Sequence, residues 1–137
     1  MKRLVLDAGP LIALASERDN YHSEAKLGFS QISLVFGEVL TPLPILFEVY
    51  KFVSRNESAK IAQKLLSVIQ EETVIVTISE SDFVNISDLV LNFSHWGGTL
   101  EDASVIVIAK KYQSQIWTID YKDLGFFGDI EFWNPLS

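Results

Sequence analysis

The chain has 137 residues, 48% of them hydrophobic, which suits one domain that buries its own core without disulfides or structural metals. It has no cysteine, which excludes a thiol nucleophile, a zinc–cysteine site and an iron–sulfur cluster, and which favours the cytoplasm. The net charge of −7 argues against an ordinary nucleic-acid binder, unless the acids gather in one site that cations neutralise.

Strand-like and helix-like segments alternate in the first half of the chain. The apolar run at residues 4–6 predicts a buried strand that ends at Asp7, and a short helix follows it. Residues 25–36 have helical spacing, with Ser23 as the expected N-cap. No segment is typical of a signal peptide or a membrane span, so we expect no membrane association.

Two further helices follow a short strand at residues 39–41. The first contains Glu48, three residues after Ile45 and four before Phe52, so Glu48 shares their apolar face. The second begins near Ser58, with Asn56 as a candidate cap, and its amphipathic pattern predicts a structural role.

The second half of the chain contains the strongest strand pattern, at residues 73–78, which predicts burial on both faces. Ser79–Asp82 fits a capping box at the start of a helix. Thr99–Asp102 opens the next helix, whose apolar body at 103–109 predicts a central position. The last predicted strands are residues 116–119 and 130–133.

This alternation predicts an α/β fold in three layers, α/β/α, around a central parallel sheet of about five strands. The connections between predicted strands are too long for hairpins, which favours parallel pairing. No repeat, low-complexity tract or linker interrupts the chain, so we expect a single domain over residues 1–137.

Acidic residues stand where a parallel sheet places its ligand crevice. Asp7 and Asp120 each follow a buried strand, at its carboxyl end. If the two strands are neighbours, both carboxylates can reach one cation, and Glu48 and Asp102 can line the same crevice. Such a cluster repels itself unless divalent cations occupy it. An all-oxygen ligand set favours Mg²⁺ or Mn²⁺, which equips a site for phosphodiester hydrolysis.

Four segments carry a resemblance to a known family. In chain order they are LVLDAGPLIALA, PLPILFEVYKFV, TLEDASVIVIAKK and IWTIDYKDLGFF. They resemble the four acidic motifs of PIN domains, particularly the VapC-type toxin ribonucleases, over essentially the whole chain. Matched position by position, the family's acids correspond to Asp7, Glu48, Asp102 and Asp120, with Asp123 as a frequent fifth member and Thr118 as the threonine that orients the fourth acid.

The resemblance implies a metal-dependent endoribonuclease that leaves 5′-phosphate and 3′-hydroxyl ends. It also implies a homodimer and a small antitoxin protein that silences the RNA-cleaving site. Two positions depart from the family pattern. Gly9 stands where many relatives carry Ser, Thr or Asn, which puts metal binding in doubt, and Glu101 adds an acid beside Asp102 that reads as a solvated neighbour.

Structural interpretations remain open for several of these residues. Asp102 also completes a capping box, Glu48 could pair with Lys51, and Asp123 could cap a turn. His22 and His95 are assigned no role because both lie at predicted helix boundaries. For the aromatic residues, packing is a simpler role than base stacking: Trp96, Trp117, Phe126, Phe127, Phe132 and Trp133. The cations that could steer phosphate are Lys51, Arg55, Lys110, Lys111 and Lys122.

Other functions stay open as well. A PIN nuclease of RNA processing, or an inactive PIN-fold binding protein, would have nearly the same sequence pattern. A phosphoacceptor receiver domain is a distant alternative, since it requires adjacent acids after the first strand, where Asp7 stands alone.

Overall fold

Four parallel strands form the sheet of the computed structural model, which describes residues 1–137. The strands are β1 (Arg3–Leu6), β2 (Glu38–Pro42), β3 (Val74–Val76) and β4 (Gln115–Trp117). Their order in the sheet is β3-β2-β1-β4, so the first strand along the chain pairs with both the second and the last.

Seven helices connect and cover these strands. They are α1 (Ala8–Ala15), α2 (His22–Val35), α3 (Leu43–Asn56), α4 (Ala59–Glu72), α5 (Glu80–Asn92), α6 (Leu100–Lys111) and α7 (Tyr121–Leu124). The connections β1 to β2 and β2 to β3 run one way across the sheet, and β3 to β4 returns the other way. Right-handed crossovers therefore place α1–α4 on one face and α5–α6 on the other, which confirms the predicted α/β architecture. None of the helices combines the length and apolar character that crossing a membrane requires.

The core lies where α6 crosses the sheet. Leu4, Val5 and Leu6 of β1 are fully buried, as expected for a strand covered on both faces. Residues 103–109 of α6 are all buried, and this helix contacts β1, β2 and β4. The central position predicted from its apolar sequence is confirmed.

Two predicted strands differ in the structure. The segment 73–78 forms only the three-residue edge strand β3, and Val74 is half-exposed because β3 has a neighbour on one side alone. In the segment 130–133, only Phe132 makes a bridge, to Ile116, so the sheet has four strands and one further bridging residue. Pattern alone did not reveal that these segments lie at the sheet edges.

Helix starts were predicted correctly where a capping box defines them. Ser79 and Asp82 form both hydrogen bonds of the box at α5, and Thr99 and Asp102 do so at α6. The other two caps were wrong. The helix assigned to Ser23 begins at His22, and Asn56 ends α3, whereas Ser58 caps α4 by accepting a hydrogen bond from the Ile61 amide.

Candidate active site

The candidate site lies at the carboxyl edge of the sheet, where the strand order reverses. β1 and β4 are neighbours, and their pairing continues one residue further, because the Asp7 amide donates to the Trp117 carbonyl at 3.0 Å. Asp7 follows β1 and Asp120 follows β4 after two intervening residues. The sheet therefore delivers both acids to its switch point, where open α/β sheets bind ligands.

Both of these acids occupy helix N-cap positions without acting as caps. Asp7 precedes α1 and Asp120 precedes α7, yet neither carboxylate accepts a capping hydrogen bond from its helix. An Asp at this position ordinarily stabilises the helix through such a bond. Capping therefore does not explain Asp7 or Asp120, and both carboxylates remain available to a ligand.

Three carboxylates form the centre of the site. Oxygen atoms of Asp102, Asp120 and Asp123 lie within 4.8 Å of one another. The three side chains come from the first turn of α6, the residue before α7, and α7 itself. Asp120 is exposed and the other two are half-buried, so the cluster faces solvent on one side.

Asp7 is the most buried of the candidate site acids. Its residue is 6% exposed, and its Oδ2 accepts a hydrogen bond of 2.7 Å from the Thr118 hydroxyl. Burial raises the pKa of Asp7 from its ordinary 3.8 to about 6, although Thr118 and the Ala8 amide partly oppose this. The charges of Asp102 and Asp120 raise it further, although Asp7 itself is not part of the three-carboxylate group.

Thr118 makes hydrogen bonds with two of the candidate acids: Asp120, which the sequence motif implied, and Asp7, which it did not. Its hydroxyl donates to the Asp7 carboxylate and accepts a hydrogen bond of 2.9 Å from the Asp120 backbone amide. Thr118 thus orients the Asp7 side chain and fixes the Asp120 main chain. One buried hydroxyl links the ends of two adjacent strands.

Glu48 lines another side of the crevice. It is half-buried on α3, and burial raises its pKa from 4.5 to about 7, with further contributions from the charges of Asp7, Glu101 and Asp102. The alternative pairing with Lys51 does not occur, since none of the chain's four ion pairs includes Glu48. Glu101 lines the same groove as Glu48, and its charge contributes to the raised pKa of Glu48.

Asp102 combines a structural role with a carboxylate oxygen that has no hydrogen-bond partner in the protein. Its Oδ2 accepts from the Thr99 amide at 2.9 Å in the capping box, and its Oδ1 has no hydrogen bond within the protein. Burial raises the pKa of Asp102, and the charges of Asp120 and Asp123 raise it as well, against the opposing bonds from Thr99. The capping and ligand interpretations are therefore compatible.

Asp123 is held by a tryptophan that the sequence analysis assigned to packing. The Trp96 indole N–H donates to the Asp123 carbonyl at 2.8 Å, and Trp96 is buried against Phe127. The Asp123 carboxylate makes no hydrogen bond, so it does not cap the turn. A buried indole requires an acceptor, but no sequence pattern indicates which residue provides it.

The donor set fits a hard divalent cation. All the clustered side chains offer carboxylate oxygens, the ligands that Mg²⁺ and Mn²⁺ prefer. No Lys or Arg forms an ion pair with any of the candidate acids. Burial and mutual repulsion both disfavour ionised carboxylates here, and a bound cation would relieve both.

A separate cleft lies away from these acids. It has a volume of about 630 Å³ and is mostly apolar, with walls from α1, α2, α4 and the strands β2 and β3. None of the candidate acids lines it. The carboxylate crevice is therefore the better candidate for chemistry.

Comparison with known proteins identifies the family. A family model described as PIN domain matches residues 4–126, almost the entire chain. The chain belongs to the PIN domain family. This PIN domain has no significant match among curated protein sequences. The family assignment removes the receiver alternative.

Solved structures of bacterial toxins share the fold of this PIN domain. VapC20 of Mycobacterium tuberculosis, a toxin that cleaves the sarcin-ricin loop, superposes with a TM-score of 0.81 at 16% identity, covering 93% of this chain and 97% of that one. VapBC2 of Rickettsia felis, bound to a DNA fragment from its promoter, gives 0.75 at 12% identity over 96% and 98%. A toxin-antitoxin complex from Klebsiella pneumoniae gives 0.68 at 21% identity over 96% and 97%.

Proposed function

We propose that this PIN domain is a metal-dependent endoribonuclease and the toxin of a type II toxin–antitoxin pair. The observation that carries the proposal is the group of Asp102, Asp120 and Asp123, with carboxylate oxygens within 4.8 Å, beside the buried Asp7. The likeness in fold to VapC20 supports RNA as the substrate.

The residues have distinct tasks in this proposal. Asp102, Asp120 and Asp123 would hold a Mg²⁺ or Mn²⁺ ion, with Asp7 and Glu48 completing the ligand set. The Thr118 hydroxyl orients the Asp7 carboxylate, and the capping box holds Asp102 at the start of α6. A divalent cation in such a site supplies an activated water and stabilises charge that builds on phosphate oxygens.

The test is a cleavage assay with mapped product ends. Purified full-length protein is incubated with total RNA and Mn²⁺, with EDTA and the Asp102→Asn variant as controls. We expect cleavage that requires both metal and Asp102 and leaves 5′-phosphate ends. Folded protein that cuts no RNA in Mn²⁺ would refute the proposal and favour an inactive PIN-fold binding protein, whereas equal cleavage in EDTA would refute the metal dependence.

The proposed partners follow from the same comparison. The Klebsiella pneumoniae structure is a toxin-antitoxin complex, which supports a small antitoxin for this chain. Co-expression with the product of a short neighbouring gene should yield a stable complex with no cleavage activity. We also propose a homodimer, which light scattering after size exclusion would detect as twice the mass of one chain.

A further inference from the structure

A groove runs along the exposed face of α3 and opens beside the candidate active site. Its volume is about 520 Å³. It shares Glu48 and Glu101 with the acidic crevice, so a ligand in the groove would reach the candidate metal site without leaving the surface. The residues that carry the inference are Phe47, Glu48, Lys51, Phe52, Arg55 and Glu101.

The helical repeat of α3 determines where these side chains lie relative to one another. At 3.6 residues per turn, Glu48, Lys51 and Arg55 lie along one stripe, and the distance along the axis from Glu48 to Arg55 is about 10 Å. Phe47 and Phe52 lie on opposite borders of this stripe, about 140° apart around the axis. The groove thus has a charged floor and one aromatic side chain on each border.

The two cations have no partner within the protein. The four ion pairs of the chain use Arg3, Arg18, Lys110 and Lys111, whereas Lys51 and Arg55 are exposed and unpaired. In a chain of net charge −7, two adjacent unpaired cations beside a cluster of acids would attract an external anion by their positive charge.

The two phenylalanines are unusually exposed for their size. Phe47 is 66% exposed and Phe52 is 46% exposed, although neighbouring positions of α3 contribute to the core. Single exposed apolar residues are common, but these two flank the only unpaired cations of the groove. Cationic grooves with interleaved aromatic side chains are typical of single-stranded nucleic-acid binding, in which bases stack on the rings.

We propose that the α3 groove binds the single-stranded RNA that flanks the scissile phosphate. Lys51 and Arg55 contact backbone phosphates, and Phe47 and Phe52 stack against bases. The inference rests on the proposed nuclease function and adds the residues that hold the substrate. It also explains how an acidic protein can bind RNA, because attraction is confined to one groove.

The first experiment tests the cations by equilibrium binding. Fluorescence anisotropy with a labelled single-stranded RNA is measured in Mg²⁺, in the Asp102→Asn background to prevent cleavage. Lys51→Ala with Arg55→Ala should weaken binding roughly tenfold and reduce the slope of log affinity against log salt by about 1.4. Lys60→Ala with Lys64→Ala is the matched control, since these exposed lysines have the same spacing on α4 and lie outside the groove.

The second experiment tests the aromatic side chains. Phe47→Ala with Phe52→Ala should weaken RNA binding about fivefold or more. Phe83→Ala with Leu91→Ala, which removes two exposed apolar side chains from α5, should leave it unchanged. Circular dichroism and size exclusion accompany each variant. If the Phe47 and Phe52 changes alter the oligomeric state and leave RNA affinity intact, the face is a protein interface and the proposal is overturned.

The two proposals fail in different ways. Metal-dependent cleavage by the wild-type chain, together with equal RNA binding by the Lys51/Arg55 and Lys60/Lys64 variants, would overturn the groove and leave the nuclease standing. A wild-type chain that neither binds nor cleaves RNA would overturn both. Loss of binding confined to the α3 variants supports the groove.

Discussion

Thr118 is the residue whose role is most directly testable. Thr118→Val keeps the shape of the side chain and removes the hydroxyl that donates to Asp7. A buried carboxylate without its donor costs roughly 1–3 kcal/mol, and misplacing a metal ligand costs about 10- to 100-fold in activity. We therefore expect a lower free energy of unfolding in urea and a lower cleavage rate.

The control for Thr118 retains the hydroxyl. Thr118→Ser preserves the donor to Asp7 and the acceptor for the Asp120 amide, so it should keep most of the activity. Equal behaviour of the Val and Ser variants in both measurements would mean that the hydrogen bond does not matter.

Single residues also mark the limit of what the sequence could predict. The acids were recognisable because each occupies a motif position, but the hydrogen bond from Thr118 to Asp7 was not. Gly9, which departs from the family pattern, has a packing explanation: a Cβ at that position would lie 3.2 Å from Cβ of Ile119. Residues 9 and 119 meet only in the folded chain, so no local pattern could reveal their contact.

At the scale of helices, two equivalent caps permit a comparison within one molecule. Thr99 at α6 and Ser79 at α5 form the same capping box, but only the first includes a candidate metal ligand, Asp102. Thr99→Ala and Ser79→Ala should each lower the free energy of unfolding by about 1 kcal/mol. Only Thr99→Ala should also lower cleavage, by about tenfold, since it loosens Asp102.

The measurement for these variants combines thermal melting with the cleavage assay. Similar losses of stability with activity reduced in Thr99→Ala alone would separate the capping role from the catalytic one. A comparable loss of activity in Ser79→Ala would show instead that the rate follows general stability.

Helix starts that are defined by neighbouring residues could be predicted from the sequence. Strands that are defined by pairing with residues far along the chain could not. A capping box lies within four residues, so the starts of α5 and α6 followed from sequence. By contrast, residues 130–133 have strand-like composition yet contribute one bridge, and β3 is exposed at the edge. The position of a strand in the sheet is decided by partners far along the chain.

For the whole molecule, the raised pKa values of the site make stability depend on pH. Burial raises the pKa of Asp7 to about 6 and that of Glu48 to about 7, so both bind protons more tightly in the folded chain than in the unfolded one. Their protonation stabilises the metal-free protein at low pH, and that stability is lost as the pH rises toward 7. For Asp7 alone the loss is about 3 kcal/mol.

The corresponding measurement is the melting temperature against pH in EDTA and in Mn²⁺. In EDTA it should fall between about pH 4 and about pH 7, the range between the ordinary and the raised pKa values, and the increase caused by Mn²⁺ should grow over the same range, because metal and protons compete for the carboxylates. Glu48→Gln should flatten the upper part of the EDTA curve. A melting temperature that rises with pH in EDTA would contradict the raised pKa values.

The distance along the chain between the parts of the site has a consequence during synthesis. The hydrogen bond from Thr118 to Asp7 spans 111 positions, and Asp123 lies further still toward the C-terminus. A growing chain on the ribosome holds Asp7 and Glu48 long before Asp120 and Asp123 exist. The proposed metal site can therefore form only after residue 123 has been synthesised, so a shorter nascent chain would lack the proposed nuclease activity.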